Sequence, residues 1–418
     1  MDTKRIWTCL AILAMVLAVP GIAMATNGDN MISVGPISRS MGGVGIASPQ
    51  DAVGAVFANP AAMCFGPFCP ASQVDGSLTL FKPTVKTKIV KGDGTHTANS
   101  EEKVYPIPAV GVSTPLTNES PYWRFGLAAY GVSGMGVDYR DTDVDTLDPF
   151  GQRQASGTYV DLQRFKVAPT LAVKLADNLS LGVSLHVNRT TLDLGNGPKE
   201  GLAVGVQPGI IYRIFDEFVL GFTYISPQET KHNNVSDFDG DGQMDPLTLE
   251  APQMYGFGLA WEPLALPLVV ETDVKWYNWS DAKGYKDFDW KDQWVYNIGL
   301  HYHVNPDFTL RAGYNYAESP VKVHDNFNGG KMVSVQGKLM PTYYYETFRI
   351  VGFPAIAEQH VTLGLGYRIN DTFSLDVSFM HAFENSISES GTDIYGNQAS
   401  LESTLSESSL GIGLSWAF

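Results

Sequence analysis

Beyond residue 25, no stretch of this 418-residue chain is long and apolar enough to cross a bilayer as a helix. If the mature protein sits in a membrane, it sits there as a closed sheet, the other structure that satisfies every backbone polar group in lipid. Basic residues are also few: 28 Lys and Arg stand against 44 Asp and Glu, a formal charge of −16. That argues against a nucleic-acid partner, because phosphate binding needs clustered cations. Cysteine is scarcer still, with three in all. Cys9 belongs to the leader described next, which leaves Cys64 and Cys69. In an oxidising, exported setting so close a pair predicts a small disulfide loop, and two thiols with no nearby His make a poor metal site. No linker or break in composition divides the chain, so one large unit is expected.

The chain opens with Lys4 and Arg5, runs through an apolar stretch at 6–20 and reaches Ala23-Met24-Ala25. This order predicts a secretory signal peptide over 1–25, with Thr26 the mature N-terminus.

What the chain does have is alternation. Read back from the end, Phe418, Trp416, Leu414, Ile412 and Leu410 are apolar, while Ala417, Ser415, Gly413, Gly411 and Ser409 are small or polar. A strand turns successive side chains to opposite faces, so this is a strand with one oily face. About fourteen such segments follow residue 73, among them Leu179, Leu181, Val183, Leu185 and Val187 against Ser180, Gly182, Ser184, His186 and Asn188. The second face also carries Glu262, His301, Arg311, Arg368 and Asp376, groups too costly for an apolar sandwich core but natural in a watered lumen. The fold expected is therefore all-β: a transmembrane antiparallel β-barrel of about fourteen strands over 73–418, in the outer membrane. Connections agree, since tight turns at 117–121, 177–178, 216–217, 262–267, 305–307 and 370–371 alternate with long polar ones. Those lie at 86–103, 138–157, 227–250, 277–292, 317–358 and 384–405, with one short exception at 190–200. Both ends of the sheet then fall on the periplasmic side, which requires an even strand number. Clusters such as Tyr122-Trp123, Trp276-Tyr277-Asn278-Trp279, Trp290, Trp294 and Tyr343-Tyr344-Tyr345 suit girdles of aromatic residues at the interfaces, although a soluble carbohydrate-binding protein also displays such residues. Outer-membrane lipid and lipopolysaccharide are the expected surroundings, and barrel-insertion machinery is the expected reader of Phe418.

Residues 26–72 do not alternate. They are rich in Gly, Ala and Pro with scattered Val, Ile, Met and Phe, a composition for a compact segment in a confined space. The lumen is that space, because fourteen strands enclose more room than their own side chains fill. The run Arg39-Ser40-Met41-Gly42-Gly43-Val44-Gly45, the Asp51-Ala52 pair and Asn59-Pro60-Ala61, placed before such a barrel, resemble the FadL-type family of outer-membrane channels for long-chain fatty acids and aromatic hydrocarbons. The resemblance covers essentially the whole mature chain. It implies a non-enzymatic channel for passive uptake of hydrophobic small molecules, an N-terminal plug over 26–72 with Asn59, Pro60 and Ala61 as its motif, and lateral release through a kinked third strand. Gly131, Gly134 and Gly136 are where such a kink is expected, since glycines weaken a ladder and permit a bulge; the plainer reading is relief of crowding inside the barrel. One departure is the short connection at 190–200, which is not expected to supply the family's greasy capture groove; Tyr343, Tyr344, Tyr345, Phe348, Ile350, Val351 and Phe353 are the substitutes.

One further motif is Asp237-Phe238-Asp239-Gly240-Asp241-Gly242-Gln243-Met244-Asp245, with oxygen donors at alternating positions around glycine turns, the spacing that hard calcium needs. Thr248 replaces the bidentate Glu of an EF-hand, so a shorter structural calcium loop on Asp237, Asp239, Asp241, Gln243 and Asp245 is expected, set against a solvated acidic turn. No other cofactor is expected. No elbow motif marks a nucleophilic Ser near His186, His301, His303 or His381, and the glycines of 39–45 lack a phosphate loop's lysine. The competing classes are a general hydrophilic porin, a surface structural or adhesion barrel and a barrel enzyme; the reading carried forward is a monomeric plugged channel.

Overall fold

The computed structural model describes residues 27–66, 69, 71–117 and 120–418. The expected leader and part of the 117–121 turn lie outside them. Fourteen strands form the wall. They are β1 (Gln73–Lys91), β2 (Tyr105–Thr117), β3 (Ser120–Asp138), β4 (Tyr159–Ala176), β5 (Leu179–Asp193), β6 (Lys199–Phe215) and β7 (Phe218–Ile225). There follow β8 (Met254–Trp261), β9 (Leu268–Tyr277), β10 (Gln293–His303), β11 (Phe308–Ala317), β12 (Gln359–Arg368), β13 (Phe373–Thr392) and β14 (Gln398–Ala417). Each is antiparallel to the next, and β14 closes on β1 from Gln73 opposite Ala417 to Val90 opposite Ser400. The ring therefore has the even number required, and closure removes the edge that an open sheet would expose to lipid.

The two faces of the strands separate as the period predicts. Leu363, Leu365, Leu410, Ile412 and Leu414 each keep half or more of their surface exposed, whereas the alternate residues Thr362, Ser378 and Ser409 are buried on the inner side. An apolar band of this kind is stable only against acyl chains. Neighbouring rings on β7 to β10 make a continuous row at one rim, with centroids 4.8 Å apart for Tyr224 and Tyr255, 5.8 Å for Tyr255 and Trp276 and 6.5 Å for Trp276 and Trp294. Not every aromatic of the expected girdles belongs there. Trp279 and Trp290 are buried in the 278–292 loop, their rings 4.6 and 4.8 Å from Tyr285, and Tyr343 and Tyr345 are buried in the 318–358 loop.

Strand length is uneven. β13 and β14 run 20 residues and β7 and β8 run 8. A membrane crossing takes about 9–11 residues, so the long strands stand clear of the lipid on one side of the ring. Two expected outer loops are therefore mostly strand. Residues 94–99 fold back on β1, and 384–405 are the tall hairpin of β13 and β14, with a bulge between Ala382 and Asn385. Above the membrane neither face needs to be oily, so alternation gives no signal there. The 227–250 loop likewise contains a hairpin, Gln228–Ser236 with Asp245–Ala251.

Candidate functional site

Residues 27–65 are almost entirely buried and are tied to inward-facing groups on many strands. Two short helices, α1 (Pro36–Ser40) and α2 (Ala52–Ala58), and a 3-10 turn at Pro60–Cys64 give the segment its shape. Pro36 and Pro60 sit at the first positions of α1 and of the 3-10 turn, where no N–H is needed, and Asp51 caps α2 by accepting from Gly54 N at 2.8 Å. Carboxylates of the wall take the remaining free amides in pairs. Asp75 accepts from Ala52 N and Val53 N at 2.7 and 3.2 Å, Glu271 from Ala47 N and Ser48 N at 2.6 and 3.2 Å, and Asp273 from Gly45 N and Ile46 N at 3.0 and 3.3 Å. Arg39, fully buried, donates to Ser409 Oγ on β14 at 2.8 Å.

Asn59 is the most heavily used side chain of its motif. Its amide nitrogen donates to Ile46 O at 2.8 Å within the segment and to Ile210 O and Phe222 O of the wall at 3.1 and 3.3 Å, while its Oδ1 accepts from Ala61 N. Pro60 and Ala61 lie flat against the wall, and Ser180 Oγ donates to Ala61 O at 2.6 Å. Only glycine permits this approach. A Cβ on Gly182 would stand 2.4 Å from Ala61 N, and one on Gly209 2.0 Å from Asn59 Oδ1. No spacing rule flags these wall glycines; their placement on the inner face of adjacent strands was the available signal.

The wall is interrupted at β3. Pairing with β2 stops at Ala109 opposite Tyr130, and pairing with β4 skips Val132, a bulge beside Gly131. Pro106 and Pro108, which have no N–H to give, stand on β2 where the ladder ends. The vacated edge is taken by the start of the buried segment: Met31 N donates to Val132 O at 3.0 Å, Gly134 N to Asp29 O at 3.1 Å, and Asn30 bridges Ser133. The three glycines expected to shape this strand, Gly131, Gly134 and Gly136, thus flank a real irregularity. Higher up the wall is tied again, where Glu101 N donates to Asp138 O at 2.8 Å.

Beside this seam lies a cavity of about 50 Å³, lined by Met31, Ile46, Phe57, Val132, Ile225 and Met254 together with Arg164, Lys166 and Lys275. Lys275 donates to Gly43 O at 2.8 Å and Arg164 to Ser133 Oγ at 3.2 Å. Lys166 is 5 % exposed and its ammonium has no hydrogen-bond or ion-pair partner among the described residues; the charged neighbour acting on it is Arg164, of the same sign. An isolated buried ammonium costs several kcal/mol, on the order expected for an uncompensated ion. The sequence reading missed Arg164 and Lys166, although Arg164-Phe165-Lys166 breaks the small-or-polar pattern of the inner face with two cations.

A larger cleft, about 700 Å³, opens among the outer loops and is lined by Arg140, Arg153, Tyr159, Asp237, Phe238, Tyr344 and Phe348. The short connection contributes after all, through Leu194, Gly195 and Asn196. Of the proposed greasy substitutes, Tyr344 and Phe348 line the cleft; Tyr343, Tyr345, Ile350, Val351 and Phe353 are spent on the loops' own core.

Other expected sites fare differently. Cys64 and Cys69 are free thiols, which corrects the expected disulfide. Each has another neighbour: Cys64 Sγ lies 3.8 Å from Tyr122 O, and Cys69 Sγ accepts from Arg124 at 3.4 Å. In the acidic loop, oxygens of Asp237, Asp239 and Asp241 come within 4.8 Å of one another. Asp245 is drawn away by Lys338, 2.7 Å from its carboxylate, and Lys338 also pairs with Asp239 at 3.0 Å; Gln243 joins only through its backbone N–H, which donates to Asp241. His301 and His303 do meet, at 3.3 Å, but Arg311 donates to His301 and no third ligand joins them among the described residues.

A family model described as outer membrane protein transport protein (OMPP1/FadL/TodX) matches residues 23–199 and 196–327. The chain belongs to this family. As a FadL/TodX-type protein it is an outer-membrane transport barrel, and the family is one of channels rather than enzymes. The toluene transporter TodX of P. putida shares its fold with a TM-score of 0.66 at 19% identity, covering 92% of this chain and 99% of that one. A Pseudomonas aeruginosa FadL homologue gives 0.67 at 15%, covering 95% and 100%. The Ralstonia pickettii toluene transporter TbuX gives 0.59 at 16%, covering 92% and 98%. No curated protein sequence matches this chain.

Proposed function

We propose that this barrel takes up amphiphiles with a long apolar chain and an anionic head, fatty acids being the plain example, by passive diffusion. The observation that carries this reading is Lys166, a buried ammonium with no counter-ion among the described residues, which faces a cavity lined mainly by apolar side chains together with Arg164 and Lys275. A carboxylate entering there gains two cations, while its chain gains about 0.8 kcal/mol per buried CH₂. In the resting state the cavity admits a head group and no more, so passage requires the buried segment to shift. On this reading residues 26–72 are a plug, hinged near Asn59-Pro60-Ala61, and the solute leaves sideways at the β2–β3 seam into the lipid. The protein acts as a monomer set in outer-membrane lipid and lipopolysaccharide, and Phe418 is its address for barrel insertion.

The test is equilibrium binding of palmitate, hexadecanol and toluene to the full barrel in detergent. Palmitate should bind best, and Lys166→Met should weaken it about tenfold, the effect of losing one charge-assisted contact, while sparing hexadecanol. Equal affinity for palmitate and hexadecanol would sink the anionic reading. It would favour the neutral monoaromatic substrates for which TodX and TbuX are named, which the cavity's apolar lining also suits. For the acidic loop our reading is a turn strengthened by calcium on Asp237, Asp239 and Asp241, with Lys338 as the competing cation. Calorimetric titration with calcium should give heat, enlarged by Lys338→Met; no heat from either protein removes it.

A further inference from the structure

Along β13, β14 and β1 the outward face changes character at one level. Phe379, Leu410 and Leu80 stand opposite one another across the three strands, all exposed, and belong to the oily band. At the next outward position stand His381, Ser408 and Lys82, again opposite one another, with His381 Nδ1 3.0 Å from Ser408 Oγ. Beyond them β1 presents Thr84, Lys86 and Lys88, which pair with Ser406, Thr404 and Glu402 on β14. The bulge of β13 adds Phe383 and Glu384, both exposed. In a chain of formal charge −16, one strand thus turns Lys82, Lys86 and Lys88 to the same side just above the acyl chains. Lys82 meets Glu102 at 2.6 Å, but both are about half exposed, so the pair holds weakly and can be exchanged. The side chains of Lys86 and Lys88 have no ion-pair or hydrogen-bond partner among the described residues, although Glu402 stands opposite Lys88. Arg189, Lys283 and Lys291, elsewhere on the outer rim, each pair with a glutamate.

We propose that this face docks one molecule of the phosphorylated, multiply acylated glycolipid of the outer leaflet. Its acyl chains lie on Leu78, Leu80, Leu410 and Ile412, a phosphate sits between His381 and Lys82, and anionic groups of the sugar head meet Lys86 and Lys88. Height decides between lipids. At about 3.3 Å per residue and a tilt of about 40°, Lys86 and Lys88 stand about 10 and 15 Å above Lys82. A phospholipid head fills only about 5–8 Å beyond the hydrocarbon, so it reaches Lys82 and stops there. A tall, charged saccharide reaches all three lysines, and the hydroxyls of Thr84, Thr404 and Ser406 between them suit sugar and phosphate oxygens. The proposal deepens the outer-membrane setting given above and is independent of the cargo carried by the lumen.

The test titrates the full barrel in detergent with purified rough lipopolysaccharide, with the same glycolipid after phosphatase treatment and with phosphatidylglycerol, complexes being counted by native mass spectrometry. Lipopolysaccharide should bind tightest and weaken with salt. The triple variant Lys82→Gln, Lys86→Gln, Lys88→Gln should lose at least about tenfold in affinity, from the usual contribution of a lysine beside an anionic lipid surface, and Lys291→Gln should lose none. Should the triple variant assemble poorly, Lys86→Gln alone should still weaken binding about threefold or more. Unchanged affinity in these β1 variants, an equal loss in Lys291→Gln, or equal binding of the phosphatase-treated glycolipid or of phosphatidylglycerol would each overturn the proposal. Palmitate affinity should be the same in every variant, because the lumen is untouched. Failure of the anionic-cargo reading therefore leaves this inference standing, and the reverse holds too.

Discussion

Asn59 and the glycines opposite it make the sharpest predictions about single side chains. Asn59→Ala removes three donated hydrogen bonds and leaves two wall carbonyls without that donor. At about 1 kcal/mol per bond the segment should lose roughly 2–3 kcal/mol of its attachment, measurable as faster proteolysis of residues 27–66 in a barrel that still resists heat on a gel. Gly182→Val puts methyl groups where Pro60 and Ala61 now lie, so the segment must lift away. Planar-bilayer recordings should then change from a nearly silent channel to a steady open current, and silence in this variant would count against the plug. Gly182 and Gly209 stand on strands that alternation located, but the need for glycine there comes from a distant segment pressing on them, which no local pattern records. The cysteine pair failed for a related reason: closeness in sequence said nothing of the neighbours, Tyr122 and Arg124, that each thiol meets. His324 offers a pH test. Its hydrogen bond to Glu346 holds its pKa above the ordinary value against partial burial; Nδ1 is 2.9 Å from Glu346 and Nε2 2.9 Å from Asp289, with Arg349, Lys322 and Glu389 around them. A raised folded pKa means that protonated His324 stabilises the outer loops fully below its unfolded value, about 6.5, and that this is lost as pH rises through the folded value. Protease nicking within 318–358 should increase across that window and become insensitive to it in His324→Gln.

The seam between β2 and β3 behaves as a unit. Gly134 gives its amide to Asp29 where the wall has no other partner, so a bulky residue there should block passage without preventing assembly. Gly134→Leu is expected to cut palmitate uptake by cells to a small fraction of normal at undiminished barrel abundance; unchanged uptake would show that the seam is not the exit. The glycines announced an irregularity. The prolines of Tyr105-Pro106-Ile107-Pro108 stand where the adjoining ladder ends, a signal in the sequence that the reading above did not use. The tall β13–β14 hairpin was hidden for the opposite reason. Residues such as Asn385, Ser386, Ser388 and Ser390 are polar on a strand that no longer meets lipid, so they look like loop.

For the molecule as a whole, fourteen strands, their pairing order and the placement of long loops were legible because lipid outside and water inside write a two-residue period on every crossing. The site was legible only through Asn59-Pro60-Ala61 and the β3 glycines; its chemistry, Arg164 and Lys166 at the cavity beside Met31, depends on strands and a segment brought together from far apart. The bonds from Met31 to Val132 and from Gly134 to Asp29 also bear on the intact cell envelope. An acyl chain offers no hydrogen bonds, so when residues 27–31 let go, these two peptide groups turn to water or to nothing. At roughly 0.5–1.5 kcal/mol each, the two bonds together would hold the undone state to about one molecule in six to one in a hundred and sixty. If the seam is the exit proposed above, the same pair of bonds would draw the strand back once cargo had left, a self-closing door that needs no energy source.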